Sequence, residues 1–386
     1  MRMHKDGLGL TLLLGALAGL PALSVDMSLP GMPGMAAEFG IDAGQVTATL
    51  SDFMIGFGLS QLVIGALSDR VGRWPVLTAA LTLYALGSVA AWLVPSFNGL
   101  LAARFLQGAG AAGGTVLAFA IVRDLFEGEA ARARLATISL VFSLAPVIGP
   151  SVGGLILHFA DWRMVFAVQA LTGAGLLVAA ALGLGETRRP SPPGARGSIL
   201  TESRTVAFGV VGALNLATVF CFVAGAPLVL LGQLGLSTTQ FGWVFAVVTS
   251  GVLAGAWLNR LMVERGWAAA WPLGIGLGGA MLAAIVGLAV DTVPSLLLLI
   301  PVFLLITLSR GLVSPNVTHA ALERIPHMAG AGSALIGAMQ MLTGALAGFI
   351  VGPMFGRFGP VGVMLTMAGF ATPAVLAWIH VERKYR

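Results

Sequence analysis

"GALSDRVGRWPVL", residues 65–77, is a short charged segment between two apolar runs, and this arrangement decides the fold. The run before it, about residues 45–67, contains one charged residue, Asp52, and the run after it, about residues 75–94, contains none. Each run has about the 20 residues that an α-helix needs to cross the hydrocarbon core of a bilayer. The charged residues between the runs belong in water, so the segment predicts a tight turn at a membrane surface.

Apolar runs of this length recur along the whole chain. Of its 386 residues, 57% are hydrophobic and 10% are charged, whereas about 25% are charged in a typical soluble domain. Continuous hydrophobicity favours helices over the alternating strands of a membrane barrel, and the 53 glycines are typical of closely packed membrane helices. We predict an all-α membrane protein with twelve spans, at about residues 8–30, 45–67, 75–94, 99–121, 134–157, 164–184, 204–230, 239–261, 268–290, 295–315, 329–352 and 361–380.

The basic residues predict the orientation of the chain. We assign all of the 21 Lys and Arg residues except Arg104, Arg163 and Arg357 to one side of the membrane, Arg310 among them. Because Lys and Arg accumulate on the cytoplasmic side, we expect both termini in the cytoplasm. The net charge of +5 then reflects topology, and we expect no nucleic-acid partner.

The longest polar stretch, "GETRRPSPPGARGSILTESR" at residues 185–204, is typical of a flexible linker. It has six predicted spans on each side. We therefore predict an N-terminal six-helix bundle at 1–184, a cytoplasmic linker at 185–203 and a C-terminal six-helix bundle at 204–386.

The segment at residues 65–77 resembles the loop signature of the major facilitator superfamily, G-x-L-x-D-R-x-G-R-[KR], although Trp74 replaces a basic residue. The resemblance implies a fold of twelve helices in two six-helix bundles. It also implies that the loop closes the cytoplasmic gate, with Asp124 of "VRDLF" as the candidate partner of Arg73. The alternative is an ordinary positively charged loop without a gating role. The implied gating residues are Gly65, Asp69, Arg70, Gly72, Arg73 and Asp124.

Further motifs narrow the resemblance. "LLAARFLQGAGAAGG" at 100–114 is similar to the fourth-helix motif R-x-x-Q-G, and "APVIGPSVGG" at 145–154 resembles the fifth-helix motif G-P-x-x-G-G of antiporters in this superfamily. "VDMSLPGMP" at 25–33 resembles the first helix of Bcr/CflA-type drug:proton antiporters, which implies export of hydrophobic drugs in exchange for protons. The alternative for the fifth-helix motif is helix packing in any transporter. Its implied packing residues are Gly149, Pro150, Gly153 and Gly154.

Asp26, Asp52 and Arg104 are the ionisable residues that we place inside spans, in the outer third of the N-terminal half. Burial and a neighbouring carboxylate raise the pKa of a carboxyl group, whereas a nearby Arg lowers it, so such a group can exchange protons near neutral pH. We therefore predict a proton-coupling site at these residues. The alternatives are that Asp26 caps a helix end in outer water, that Asp52 is structural, and that Arg104 snorkels to the outer interface.

We predict a proton-coupled secondary active exporter of hydrophobic or amphipathic small molecules in a bacterial inner membrane, acting as a monomer without cofactor or metal. Its partners are then the small-molecule substrate, protons and the lipid bilayer. The alternative is a proton-coupled transporter dedicated to one metabolite. The five scattered histidines form no catalytic pattern, which disfavours an enzyme. The predicted substrate-binding residues are Gln107, Asn215, Asn316 and Gln340.

Overall fold

The computed structural model describes residues 7–188, 202–290, 295–325 and 328–385, and within these ranges the chain is helical, without β-strands. The α-helices are α1 (Leu8–Asp26), α2 (Met32–Phe39), α3 (Ala48–Val71), α4 (Arg73–Leu93), α5 (Phe97–Leu125), α6 (Gly128–Phe159), α7 (Arg163–Gly183), α8 (Ser203–Ala226), α9 (Thr238–Glu264), α10 (Ala270–Val290), α11 (Leu296–Leu322), α12 (Ala329–Phe358) and α13 (Pro360–Tyr385).

Twelve helical segments in the described ranges are long and apolar enough to cross a membrane, which confirms the predicted number of spans. The first span differs from the prediction because it runs from Leu8 to Phe39. Pro30 has no backbone N–H to donate, and the α-helical hydrogen bonding of α1 ends at Asp26. A 3-10 turn at Leu29–Gly31 then connects α1 to α2, which continues the span.

The chain divides into two compact units. The first unit comprises Met1–Gly31 and Asp52–Gly194, and the second comprises Met32–Ser51 and Ala195–Arg386. The predicted N-terminal bundle at 1–184 includes the segment Met32–Ser51, so the observed grouping differs there. Most of the predicted linker at 185–203 lies outside the described residues.

Close backbone packing on α12 explains why Met32–Ser51 groups with the second unit. Thr47 Oγ1 donates a hydrogen bond to the carbonyl oxygen of Gly348 (2.9 Å). Gly44 lies directly against the carbonyl of Gly352, where any Cβ would collide with the backbone. The absence of a side chain at both glycines permits this contact.

In the first unit, α4 packs on α5 and α7, and α1 packs on α5 and α6. Glycines of α5 make these contacts close. At Gly110, a Cβ would come within 2.6 Å of the Ala80 carbonyl oxygen on α4. Small residues therefore set the spacing of these helices, as in other membrane bundles.

In the second unit, α8 packs on α11, α12 and α13, while α11 also packs on α9 and α10. Its core contains an aromatic cluster in which the Phe222 ring stacks on Phe245, with centroids 5.0 Å apart, and lies 4.8 Å from the Phe303 centroid. A second core cluster joins α8, α10, α11, α12 and α13 through the buried residues Phe208, Val211, Leu273, Leu277, Val313, Val317, Ala321, Ile336, Ala374 and Val381.

Candidate functional site

A buried polar network centred on Arg104 lies inside the first unit. The Arg104 side chain is 0% exposed, and its Nη1 donates hydrogen bonds to Gln107 Oε1 (2.5 Å) and to the carbonyl oxygen of Ser24 (3.2 Å). The guanidinium carbon lies 4.6 Å from the centroid of the Phe53 ring and 5.5 Å from that of Phe166. Such cation–π contacts stabilise a desolvated cation, so Arg104 does not snorkel to an interface.

Gln107 extends this network across the helices. Its Nε2 donates to Ser88 Oγ (2.8 Å) and to Gln169 Oε1 (2.7 Å). Gln169 Nε2 donates to the Ser24 carbonyl (3.2 Å), and Ser24 Oγ shares a hydrogen bond with Tyr84 Oη (2.7 Å). The network thereby joins α1, α4, α5 and α7. The amide of Gln107 is engaged in helix packing, so its predicted role in substrate binding stays a prediction.

Asp26 lies in the interior of the first span. It is 5% exposed, and the span continues beyond it to Phe39. This burial does not fit the alternative in which Asp26 caps a helix end in outer water, and its depth in the membrane stays a prediction. Within the described residues, Asp26 makes no hydrogen bond or ion pair.

The antiporter-type motif of α6 packs directly against Asp26. A Cβ at Gly149 would lie 2.8 Å from Asp26 Cβ, and a Cβ at Gly153 would collide with the carbonyl oxygen of Met27. Pro150 and Gly154 are buried in the same helix. The glycines of the motif therefore form the surface against which Asp26 is held.

The sequence predicts a site in which Asp26 and Asp52 lie beside Arg104. The structure does not bring these two carboxylates together at the guanidinium. Asp52 is partly exposed and interacts with Arg104 only through space. Among the described residues, neither Asp52 nor Asp26 comes within the 4.0 Å that defines an ion pair with Arg104. The proton-coupling role of these residues stays a prediction.

The charged loop brings several predicted gating residues together. Arg73 Nη1 lies 2.6 Å from Asp69 Oδ1 and donates to Ser68 Oγ (2.6 Å), while Arg73 Nε lies 2.8 Å from Asp124 Oδ2. Arg73 therefore connects the end of α3 to the end of α5. Gly72 has φ +118°, a conformation that glycine adopts without steric strain.

Two predicted gating residues lie elsewhere. Arg70 is exposed, and its carbonyl oxygen accepts a hydrogen bond from Arg188 Nη1 (2.6 Å). A Cβ at Gly65 would meet no atom within 4 Å, so no neighbouring helix packs closely against this glycine in the described residues. Their gating roles stay predictions.

Glu186 is a loop residue that the sequence reasoning missed, because it lies outside the signature. Its carboxylate accepts backbone N–H hydrogen bonds from Arg73 (2.9 Å), Trp74 (3.3 Å) and Arg188 (2.8 Å). Burial raises the pKa of Glu186, but hydrogen bonds from the backbone N–H groups of Arg73, Arg188 and Trp74 lower it by more. The pKa of Glu186 is therefore below its ordinary value of 4.5. The ionised carboxylate also lies favourably at the N-terminus of α4.

The second unit contains a polar cluster on α8, α11 and α12. Arg310 Nη2 donates to Gln340 Oε1 (2.9 Å), and Asn215 Nδ2 donates to Ser309 Oγ (3.2 Å). Asn215 Oδ1 and Arg310 Nη1 are buried and have no hydrogen-bond partner within the described residues. The structure thus brings together two predicted substrate residues, Asn215 and Gln340.

Arg310 corrects an assignment made from the sequence. It lies in the middle part of α11, which spans Leu296–Leu322, and not at the cytoplasmic side to which the count of basic residues assigned it. The predicted span ended at about residue 315, but the helix continues through Pro315 to Leu322. Asp26, Asp52 and Arg104 are therefore not the only ionisable residues inside spans.

Asn316 is engaged in helix packing. Its Nδ2 donates to Asn259 Oδ1 on α9 (2.6 Å) and to the carbonyl oxygen of Leu312 (2.7 Å). This leaves its predicted role in substrate binding as a prediction.

The described ranges contain no group of three or more His, Cys, Asp or Glu side chains that could hold a metal ion.

Comparison with known proteins identifies the family. A sequence profile described as Major Facilitator Superfamily matches residues 14–348. The chain is 29% identical to the Bicyclomycin resistance protein homolog of Haemophilus influenzae, covering 100% of this chain and 98% of that protein. It is 28% identical to Multidrug resistance protein D of Escherichia coli, covering 99% and 98%.

A solved structure supports the same fold. The inward-facing, occupied form of a bacterial homologue of the human lysosomal transporter Spinster matches with a TM-score of 0.75 at 18% identity, over 97% of this chain and 96% of that one. The chain therefore belongs to the Major Facilitator Superfamily. The predicted fold, the resemblance to Bcr/CflA-type proteins and the prediction of a multi-pass membrane transporter rather than an enzyme are confirmed.

Proposed function

We propose that this Major Facilitator Superfamily member exports hydrophobic or amphipathic small molecules, drugs among them, in exchange for protons across a bacterial inner membrane. The names of the bicyclomycin and multidrug resistance relatives support export of drugs. The antiporter-type motif at residues 145–154 supports exchange. We expect the monomer to be the transporting species, with both termini in the cytoplasm.

The environment of Asp26 carries the proposal of proton exchange. This carboxyl group is buried inside a membrane span and has no hydrogen-bonding or charged partner in the described residues. A charged group in such surroundings is costly. Asp26 is therefore the acid whose charge depends most strongly on whether a proton, water or a partner reaches it.

The packing of α6 on Asp26 links the proton to the antiporter motif. Gly149 and Gly153 hold α6 against residues Asp26 and Met27 without intervening side chains. A change in the charge or hydration of Asp26 would therefore act directly on the contact between α1 and α6. We assign to Asp26 the binding of the exchanged proton, and to Asp52 and Arg104 an electrostatic influence at longer range.

The loop contacts support a gating role for the cytoplasmic ends of the first unit. Arg73 bonds to Asp69 and Asp124, and Glu186 holds the first backbone N–H groups of α4. Asp69 is exposed, so its contact with Arg73 is individually weak, whereas Asp124 and Arg73 are both largely covered. We propose that these contacts stabilise one of the two states of the gate.

Transport by the purified, reconstituted protein tests the proposal. Liposomes with an imposed pH gradient should accumulate dansylglycinamide, an uncharged amphipathic dye, only while the gradient persists. Asp26→Asn keeps the shape of the side chain but cannot ionise, so it should abolish uphill accumulation and retain downhill exchange. Glu129→Gln, which removes an exposed carboxylate at the start of α6, is the matched control and should transport normally. Uphill transport by Asp26→Asn at the parent rate would refute the assignment.

A further inference from the structure

Arg310 is a charged residue at a position where membrane helices seldom carry one. It lies near the midpoint of α11 (Leu296–Leu322), within a segment with a mean hydropathy of 2.4. Charged side chains at such depth are costly and usually serve a function. The proposed proton exchange uses residues of the first unit and leaves Arg310 unexplained.

No counter-ion for Arg310 is found among the described residues. Its hydrogen bond goes to the neutral amide of Gln340, and no acidic side chain lies within ion-pair distance. The acidic residues from α8 to α13 in the described ranges lie at or near helix ends: Glu202, Glu264, Glu323 and Glu382. A guanidinium inside the protein without a carboxylate partner is an uncompensated charge, and such a charge lowers the stability of the fold.

The hydrogen-bonding capacity of the guanidinium is also incomplete. Arg310 Nη1 is buried and has no acceptor, while Nη2 already donates to Gln340 Oε1. The residue as a whole is partly exposed although Nη1 itself is covered, so an acceptor reaches this nitrogen when the surrounding side chains move aside. A planar guanidinium with free donors is suited to bind the two oxygens of a carboxylate.

An unused acceptor belongs to the same cluster. Asn215 Nδ2 donates to Ser309, the neighbour of Arg310 in the chain, and Asn215 Oδ1 is buried without a partner. One turn earlier on α8, Gly212 lies against Gln340, since a Cβ there would be 3.0 Å from Gln340 Nε2. The cluster therefore contains a positively charged donor, Arg310 Nη1 on α11, and an acceptor, Asn215 Oδ1 on α8.

We propose that Arg310, held by Gln340, binds a carboxylate group of molecules that the protein transports, and that Asn215 accepts a hydrogen bond from a donor on the same molecule. This inference rests on the proposed export of small molecules and assigns part of its specificity. The carboxylate of the transported molecule supplies the negative charge that no described side chain places beside Arg310. The site favours amphipathic molecules that combine an acidic group with an apolar body.

A pair of dyes that differ only in charge tests the proposal. Binding of dansylglycine, which has a carboxylate, and of dansylglycinamide, which does not, is measured by fluorescence on the full-length protein in detergent. We expect dansylglycine to bind roughly tenfold or more tightly, as one strong charge-assisted hydrogen bond provides. Arg310→Gln should lower the affinity for dansylglycine to that for the amide and leave the affinity for the amide unchanged. Arg357→Gln, which removes an exposed charge of the same unit, is the control and should keep the preference.

Gln340→Glu provides a second variant that keeps the arginine. The new carboxylate would pair with Arg310 and occupy the site, so the preference for dansylglycine should disappear while the melting temperature rises. A parent protein that binds both dyes equally would overturn the proposal, as would an Arg310→Gln or Gln340→Glu variant that retains the preference. If Arg310→Gln does not fold, Gln340→Glu decides. Equilibrium binding needs no proton gradient, so failure of proton-driven dansylglycinamide transport refutes the proposed function and leaves this result standing.

Discussion

Arg104 and Arg310 are both arginines inside membrane spans, one in each unit, and their surroundings differ. Arg104 is fully buried, bonds to Gln107 and Ser24, and lies over two aromatic rings. Arg310 is partly exposed and bonds to the neutral amide of Gln340, and in the described part of the chain it has no aromatic ring over its guanidinium. The first arginine is enclosed in the packing of its unit, whereas the second is only partly enclosed.

The contrast separates structural charges from functional ones. A buried cation with neutral hydrogen-bond partners and aromatic faces fixes the helices around it. A partly exposed cation without a counter-ion or an aromatic face costs stability in the free protein and regains it when an anion binds. Mutations of the two arginines should therefore affect different properties of the protein.

The largest expected effect comes from Arg104→Leu compared with Arg310→Leu. Loss of Arg104 leaves the buried Gln107 Oε1 without its donor, at about 1–3 kcal/mol, and leaves the Ser24 carbonyl with Gln169 as its side-chain donor. Thermal unfolding in detergent should show strong destabilisation and low folded yield. Arg310→Leu leaves Gln340 Oε1 without its donor but also removes an uncompensated charge, so it should destabilise the protein less than Arg104→Leu. Equal destabilisation by both substitutions would contradict the distinction between them.

A smaller effect is expected from glycine substitutions that test the packing of each unit. In Gly153→Ala, the new Cβ collides with the backbone oxygen of Met27, so we expect a loss of about 1–3 kcal/mol and impaired transport. In Gly212→Ala, the Cβ meets the side chains of Val317 and Gln340, which can move, so the loss should be smaller. Gly175→Ala, where a Cβ meets no atom within 4 Å, is the control. The ranking is measured by thermal unfolding and is refuted if Gly212→Ala is the more harmful change.

The smallest expected effect is on the stability of the protein when Glu186 is changed. Glu186 is exposed, so its contribution can be compared with those of the two arginines inside spans. Its pKa in the folded protein is below the ordinary 4.5, so its stabilising contribution is present above pH 4.5 and is lost as the pH falls through the folded pKa. Glu186→Gln should reduce the melting temperature slightly at pH 7 and remove this part of the acid dependence. Identical melting curves for parent and variant from pH 7 to pH 3 would show that the carboxylate contributes nothing. The substitution changes one side chain and leaves Thr187, Arg188 and the length of the loop as they are.

The sequence predicts the spans well and the contacts between them less well. Twelve apolar runs and the loop motif identify the fold, because bilayer thickness and the charge of loops act on every segment independently. The first span was predicted too short at its end, since the prolines after Asp26 interrupt the α-helix without ending the span. The count of basic residues assigned Arg310 to the cytoplasmic side, although it lies inside the predicted span at 295–315 and inside α11.

The network in the first unit shows why side-chain partners are harder to predict. Ser24, Tyr84, Ser88 and Gln169 are single uncharged polar residues in apolar helices and carry no pattern of their own. Their hydrogen bonds depend on the rotation of four helices around their axes. The Arg104–Gln107 pair was visible because residues three apart on a helix share a face. The grouping of Met32–Ser51 with the second unit depends likewise on a backbone contact between two glycines.

Substrate-induced proton release tests the central claim, exchange of a proton at Asp26, most directly. Dansylglycinamide is added to the detergent-solubilised protein in weak buffer, and the released protons are counted across roughly pH 6 to 8, where a buried carboxyl group can titrate. The parent protein and the Glu129→Gln control should release protons when the dye binds, and Asp26→Asn should bind the dye and release none. Proton release by Asp26→Asn equal to that of the parent would contradict the account and place the exchanged proton on another group.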